Sequence, residues 1–181
     1  MIQLKVHETA IPDVKLIEQF SAGDDRGYFV KTFMQQTLKD QGIDFAVKES
    51  IYSVSHKHVI RGMHFHHPPY AHDKLVFCIT GSLLDVALDL RKESATFGQY
   101  VTAKLSAENK QALYIPKGFA HGFLCLENAT TTYYFISGEY VQAADDGIRY
   151  DSFGLNWQID SPILSARDLS FDSFDKFQSP F

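Results

Sequence analysis

Long apolar runs, cysteine and surplus basic charge are all scarce in this chain. The longest stretch built only of aliphatic, aromatic or sulfur side chains is Leu75–Ile79. A helical membrane span needs ~20 apolar residues, so no membrane partner is expected. The opening residues, Met1 to His7, alternate polar and apolar side chains and hold no signal-peptide core. The two cysteines, Cys78 and Cys125, each sit inside an apolar run. They read as buried thiols in a reducing, cytoplasmic setting and not as a disulfide. Lys and Arg total 17 against 22 Asp and Glu, a formal charge of −5. Nucleic-acid backbones need a basic face, so nucleic acid is not an expected partner. A small anion held in a local basic pocket remains compatible. Hydrophobic residues make up 45% and charged residues 22% of the 181 residues, as in ordinary globular chains. That length suits one domain with its own core, spanning 1–181.

The dominant pattern has period two. Residues 74–80 are a β-rich run ending at Gly81-Ser82, and 84–90 alternate polar with apolar, so the pair reads as a hairpin. Further strands are expected over 99–105, 112–115, 122–126 and 130–136. Helix signals are few: a short helix near Met34–Asp40 after a strand, and a turn or short helix within 163–176. Many short strands punctuated by Gly and Pro indicate an all-β sandwich or barrel. The double-stranded β-helix, the jelly-roll or cupin barrel, is the favoured form, with a mouth that presents polar side chains to a small ligand.

Seven of the eight histidines fall between His56 and His121. His64 and His66 share one face of a strand. His121 closes Pro116-Lys117-Gly118-Phe119-Ala120-His121, the Pro-x-Gly-x-x-His of cupins. The companion His-x-His motif is present, but where its Glu is expected the chain offers Lys74. A protonated Lys cannot ligate and opposes a divalent ion. A metal site on His64, His66 and His121 is therefore the lesser alternative. His56, His58, His67 and His72 read as ordinary half-buried histidines.

Several motifs then occur in order: Asp24-Asp25-Arg26-Gly27-Tyr28-Phe29; Ser53-Val54-Ser55; Ile60-Arg61-Gly62-Met63-His64-Phe65; Asp73-Lys74-Leu75-Val76; Asp89-Leu90-Arg91; Ile115 to Phe123; Tyr134 and Tyr140; and Leu164-Ser165-Ala166-Arg167-Asp168. From about residue 20 to residue 170 the chain resembles the dTDP-4-dehydrorhamnose 3,5-epimerases and related nucleotide-sugar epimerases. The resemblance implies a homodimer without metal or cofactor, acting on a nucleotide-linked 4-keto-6-deoxyhexose. It implies His64 as general base, Asp168 as the carboxylate orienting it, Lys74 facing the C4 oxygen and Tyr134 as the acid on the opposite face. A ketone at C4 acidifies the protons on C3 and C5, and imidazole is suited to removing them near neutral pH. Arg26, Arg61 and Arg167 match positions that hold the diphosphate or nucleotide, in keeping with guanidinium geometry. His121, Tyr140 and Asp145 match substrate-lining positions.

Three departures stand out. Lys31 replaces a Glu that meets thymine, Glu49-Ser50-Ile51 replaces Gln-x-Asn, and His66 replaces Gln. A donor at Lys31 with an acceptor at Glu49 suits cytosine or guanine, which raises a CDP- or GDP-sugar alternative. Ile51 in place of Asn raises the further alternative that only one of C3 and C5 is inverted.

Overall fold

The computed structural model describes residues 4–181. The strands are β1 (Lys5–Glu8), β2 (Lys15–Glu18), β3 (Phe20–Asp24), β4 (Gly27–Lys31), β5 (Glu49–Ser55), β6 (Ile60–His66), β7 (Lys74–Thr80), β8 (Ser82–Asp89), β9 (Tyr100–Ser106), β10 (Gln111–Ile115), β11 (Phe119–Cys125), β12 (Thr130–Ile136) and β13 (Asp145–Gly147). Two short helices, α1 (Gln35–Asp40) and α2 (Ala166–Ser170), complete the list of main elements. The expected all-β jelly-roll is the observed architecture. One sheet runs β1-β2-β10-β7-β12-β5, a second runs β13-β6-β11-β8-β9, and β3-β4 form a hairpin of their own. Of the alternating opening segment, residues 1–3 lie outside the described residues, and Lys5–Glu8 form β1.

Strand alternation explains the layering. Val76, Cys78, Leu83, Ala87, Leu113, Phe119, Phe123, Cys125, Tyr134 and Ile136 form the core between the sheets. Their neighbours along each strand face outward, yet remain buried. Leu75, Phe77 and Ala112 pack under Leu38, Ile43 and Phe45 from α1 and the loop after it. Met63, Phe65, Val86, Leu88, Ala120 and Leu124 pack under the C-terminal segment through Ile148, Phe153 and Trp157. β11, covered on both faces, is buried along its whole length. The free thiols of Cys78 and Cys125 are buried in the inter-sheet core.

The expected hairpin across Gly81-Ser82 is corrected. β7 pairs with β10 and β12, whereas β8 pairs with β11 and β9, so the two strands lie in opposite sheets. Gly81 turns this corner at φ +75°, with Thr130 so close that a Cβ would meet its hydroxyl at 2.6 Å. A strand–Gly–Ser–strand pattern is the same for a hairpin and for a sheet-switching corner. Only the distant partners tell them apart.

β6 and β11 approach closely below the cavity. Gly62 has φ +134°, and a Cβ there would lie 2.4 Å from the Gly122 Cα and 3.0 Å from the His121 carbonyl oxygen. Neither neighbour is a flexible side chain. Gly62→Ala is expected to destabilise by at least the ~1–3 kcal/mol of a strained backbone, read as a lowered thermal midpoint.

Candidate active site

The inner-face alternation that builds the core also builds a cavity of about 280 Å³ between the sheets. From the five-stranded sheet it receives Arg61, His64, His66, His121, Phe123 and Asp145. From the six-stranded sheet it receives Glu49, Ile51, Ser53, Lys74, Tyr134 and Ile136. His72, Tyr140 and Arg167 close the rim.

His64 is held from behind. Asp168 sits in α2, whose N-terminus is capped by Ser165 accepting the Asp168 N–H at 3.0 Å. Its carboxylate is 4% exposed. It accepts from His64 Nε2 at 2.9 Å and from the Gly62 N–H at 3.2 Å. Burial acts to raise this carboxyl. The bonds from His64 and Gly62 outweigh it and hold the group below its ordinary value. A carboxylate only accepts, so the imidazole proton resides on Nε2 and Nδ1 keeps its lone pair.

Lys74 begins β7 and donates from Nζ to the His64 carbonyl oxygen at 3.2 Å. It makes no carboxylate salt bridge within the described residues. Burial pulls its value from 10.5 down to about 8, against the opposing pull of Asp145 and Asp85. Tyr134 is buried on β12, and burial raises its phenol well above 10.0, so it carries its proton at neutral pH. Beside its ring, His121 stands edge-on with centroids 5.7 Å apart. His121 Nε2 meets Asp85 Oδ1 at 2.7 Å, deep between the sheets. Burial lowers this imidazole and raises this carboxyl.

Toward the rim, Arg61 Nε donates to Ser55 Oγ at 3.0 Å. Arg167 pairs with Asp145 at 2.9 Å. Glu49 accepts the Tyr140 N–H at 2.9 Å, and the Tyr140 hydroxyl reaches Asp145 at 3.4 Å. Thus His64, Lys74, Tyr134, Arg61, His66, His121, Tyr140, Asp145, Glu49 and Arg167 converge on one cavity, with Asp168 directly behind His64.

Arg26 and Lys31 do not join them. Both belong to the β3-β4 hairpin, where Arg26 is exposed and bound to Asp24. They do not line the cavity of their own chain. Glu49 is engaged by Tyr140 and not by Lys31, so the donor–acceptor pair behind the cytosine or guanine alternative is not assembled within the chain. His72 is half-buried and bonded to the Tyr70 carbonyl oxygen, as expected of an ordinary histidine, and it lines the cavity as well. Its position two residues before Lys74 was the available signal. Among the described residues, no group of three or more His, Cys, Asp or Glu side chains could hold a metal ion. His64 and His121 are each committed to their own carboxylates.

The charge of Lys74 bears on stability. Its proton is held less tightly in the folded than in the unfolded chain. Below about pH 8 both states carry the proton, and the full cost of the buried charge is present. As pH rises through the window from about 8 to 10.5, the folded chain sheds the proton first and that cost is relieved. Lys74→Met is therefore expected to raise the thermal midpoint at pH 7, read from a thermal melt. In the unaltered protein, the thermal midpoint is expected to gain from this relief as pH rises from about 8 to 10.5.

Residues 8–176 match the family model described as dTDP-4-dehydrorhamnose 3,5-epimerase. The chain is 41% identical over 175 residues to the dTDP-4-dehydrorhamnose 3,5-epimerase of Salmonella typhimurium, covering 94% of this chain and 96% of that protein. Among solved structures, it superposes with TM-score 0.93 and 32% identity on the dTDP-6-deoxy-D-glucose-3,5-epimerase of Legionella pneumophila in complex with dTDP-4-keto-L-rhamnose, covering 97% of this chain and 95% of that one. It superposes with TM-score 0.87 and 30% identity on a 3'-monoepimerase of Streptomyces bikiniensis in complex with dTDP-quinovose, covering 92% and 86%. Each of these relatives is named for, or bound to, a dTDP-linked sugar, and none for a CDP or GDP sugar. With the two carboxylate-held histidines, the half-buried lysine and the tyrosine in one cleft between two sheets, the chain belongs to the dTDP-4-dehydrorhamnose 3,5-epimerase family.

Proposed function

We propose that the chain inverts C3 and/or C5 of a dTDP-linked 4-keto-6-deoxyhexose through an enolate. The observation that carries this reading is that His64 and Tyr134 line one cavity from opposite sheets. A ring lying between the sheets then has an oriented base on one face and a protonated phenol on the other. His64 removes the proton beside the ketone, and Asp168 stabilises the resulting imidazolium. The electron pair of the broken C–H bond moves onto the C4 oxygen, where the Lys74 ammonium meets the developing charge. Tyr134 returns a proton from the opposite face, and the centre is inverted. The sequence is redox-neutral, one proton off and one proton on, so the residues themselves supply the chemistry.

Arg61 and Arg167 lie at the rim, suited to the diphosphate. Among the described residues the β3-β4 hairpin pairs with no other strand, and it exposes Tyr28 and Phe29. The edge strand β5 exposes Ile51, Tyr52 and Val54. Both features favour a homodimer. No helix of the described residues is long and apolar enough to cross a membrane. Two free buried thiols fit a cytoplasmic enzyme.

Turnover in heavy water tests the reading. Mass spectrometry is expected to show deuterium entering the sugar, two atoms for inversion at both carbons and one for a single carbon. His64→Ala is expected to lower the exchange rate by roughly 10²–10⁴-fold. Tyr134→Phe is expected to retain exchange while losing inversion. In calorimetry, dTDP is expected to bind more tightly than CDP, GDP or UDP.

A further inference from the structure

His66 and His72 are not used by the chemistry above, yet they are built into the same cavity. Their rings lie 4.6 Å apart, tilted by 46°. Tyr140 stands edge-on to His66 from the other side at 5.6 Å. His66 is 9% exposed, and its Nε2 is sealed from solvent without a hydrogen-bond partner. His72 Nδ1 lies 3.1 Å from the Tyr70 carbonyl oxygen. A carbonyl only accepts, so Nδ1 carries the proton in the neutral ring and Nε2 is left as a bare acceptor. Burial and the neighbouring Lys74 ammonium disfavour charge on both rings, pushing His72 down to about 4.

The ring of His72 has little freedom. A Cβ on Gly138 would lie 2.7 Å from the His72 Cβ and 2.8 Å from its Nδ1. Two hydrogen bonds between the next residues, Asp73 N–H to Ser137 Oγ at 2.8 Å and Ser137 N–H to the Asp73 carbonyl at 3.1 Å, lock the two segments together. A fixed, uncharged acceptor beside an ammonium is suited to a neutral donor next to an oxygen that the ammonium holds.

We infer that the His66–His72 pair is a specificity determinant for the sugar, with His72 Nε2 accepting a hydrogen bond from the hydroxyl on C3. This rests on the proposed placement of the C4 oxygen at Lys74. The ring atoms flanking C4 are C3 and C5. In a 6-deoxyhexose C5 bears a methyl group, so C3 alone offers a hydroxyl there. Ile136, which pairs with Lys74 across β12 and β7, and Ile51 supply apolar surface in the same cavity for the methyl group. The pair thereby sets which way round the ring enters.

The test compares two dTDP-linked 4-keto sugars that differ only in the presence of the C3 hydroxyl. Calorimetry on the intact protein is expected to show the hydroxylated sugar binding at least about tenfold more tightly, because a site built to bond a hydroxyl rejects the analogue lacking it. His72→Phe, which keeps a ring and removes both nitrogens, is expected to shrink the gap to within about threefold. Gly138→Ala, which displaces the imidazole without removing it, is expected to shrink it as well. Binding of dTDP alone reports that each variant is folded. Equal binding of the two sugars by the unaltered protein overturns the inference, as does an undiminished gap in folded His72→Phe. Failure of the epimerase reading is seen separately, as absence of deuterium exchange into the hydroxylated sugar.

Discussion

Everything in this structure depends on the narrow gap between two facing sheets. Every second residue of a strand must enter that gap, and whatever enters is withdrawn from water. Over most of its extent the gap is filled by Val, Leu, Ile and Phe side chains. At one end the same alternation delivers Asp85, His121, His64, His66, Lys74 and Tyr134. The active site is a polar continuation of the core, built by the same period-two rule.

Burying so many polar groups is unfavourable unless each finds a partner. The chain meets this unevenly. His64 and His121 have carboxylates, and Asp168 has a backbone donor as well. Lys74 has a carbonyl oxygen and no salt bridge among the described residues. Ser53 Oγ, His66 Nε2, Asp85 Oδ2 and Thr132 Oγ1 are buried with no hydrogen-bond partner among the described residues. Each such group costs stability, the usual tension where polar side chains gather in a cleft.

The sequence made the architecture legible because the period-two signal is strong and the strands are short. Strands at 74–80, 130–136 and around 112–115 lie where the alternation and the Gly and Pro punctuation put them. The hairpin at Gly81 was misread because strand pairing is decided by residues far away, Thr130 among them. In the site, ordered motifs gathered His64, Asp168, Lys74 and Tyr134, although Asp168 lies 104 positions from His64. His72 escaped because it lies in no strand, and its ring enters the cavity only through the packing of Gly138. Arg26 and Lys31 were grouped with the site by motif, while the local hairpin carries them away from the cavity of their own chain.

The corner at Gly81 has a consequence for how the chain becomes native. Because successive strands are sent to opposite sheets, residues 15–18 wait for 111–114, and residues 49–55 wait for 130–136, before their ladders close. Large loops must be closed, with their entropy spent, before the ladder bonds are gained. Topologies of this kind assemble toward the slow end of the range, roughly milliseconds to seconds for small β-rich domains. Until the last ladders form, strands such as Thr130–Ile136 expose β-prone edges, and it is during this interval that self-association competes most strongly with assembly.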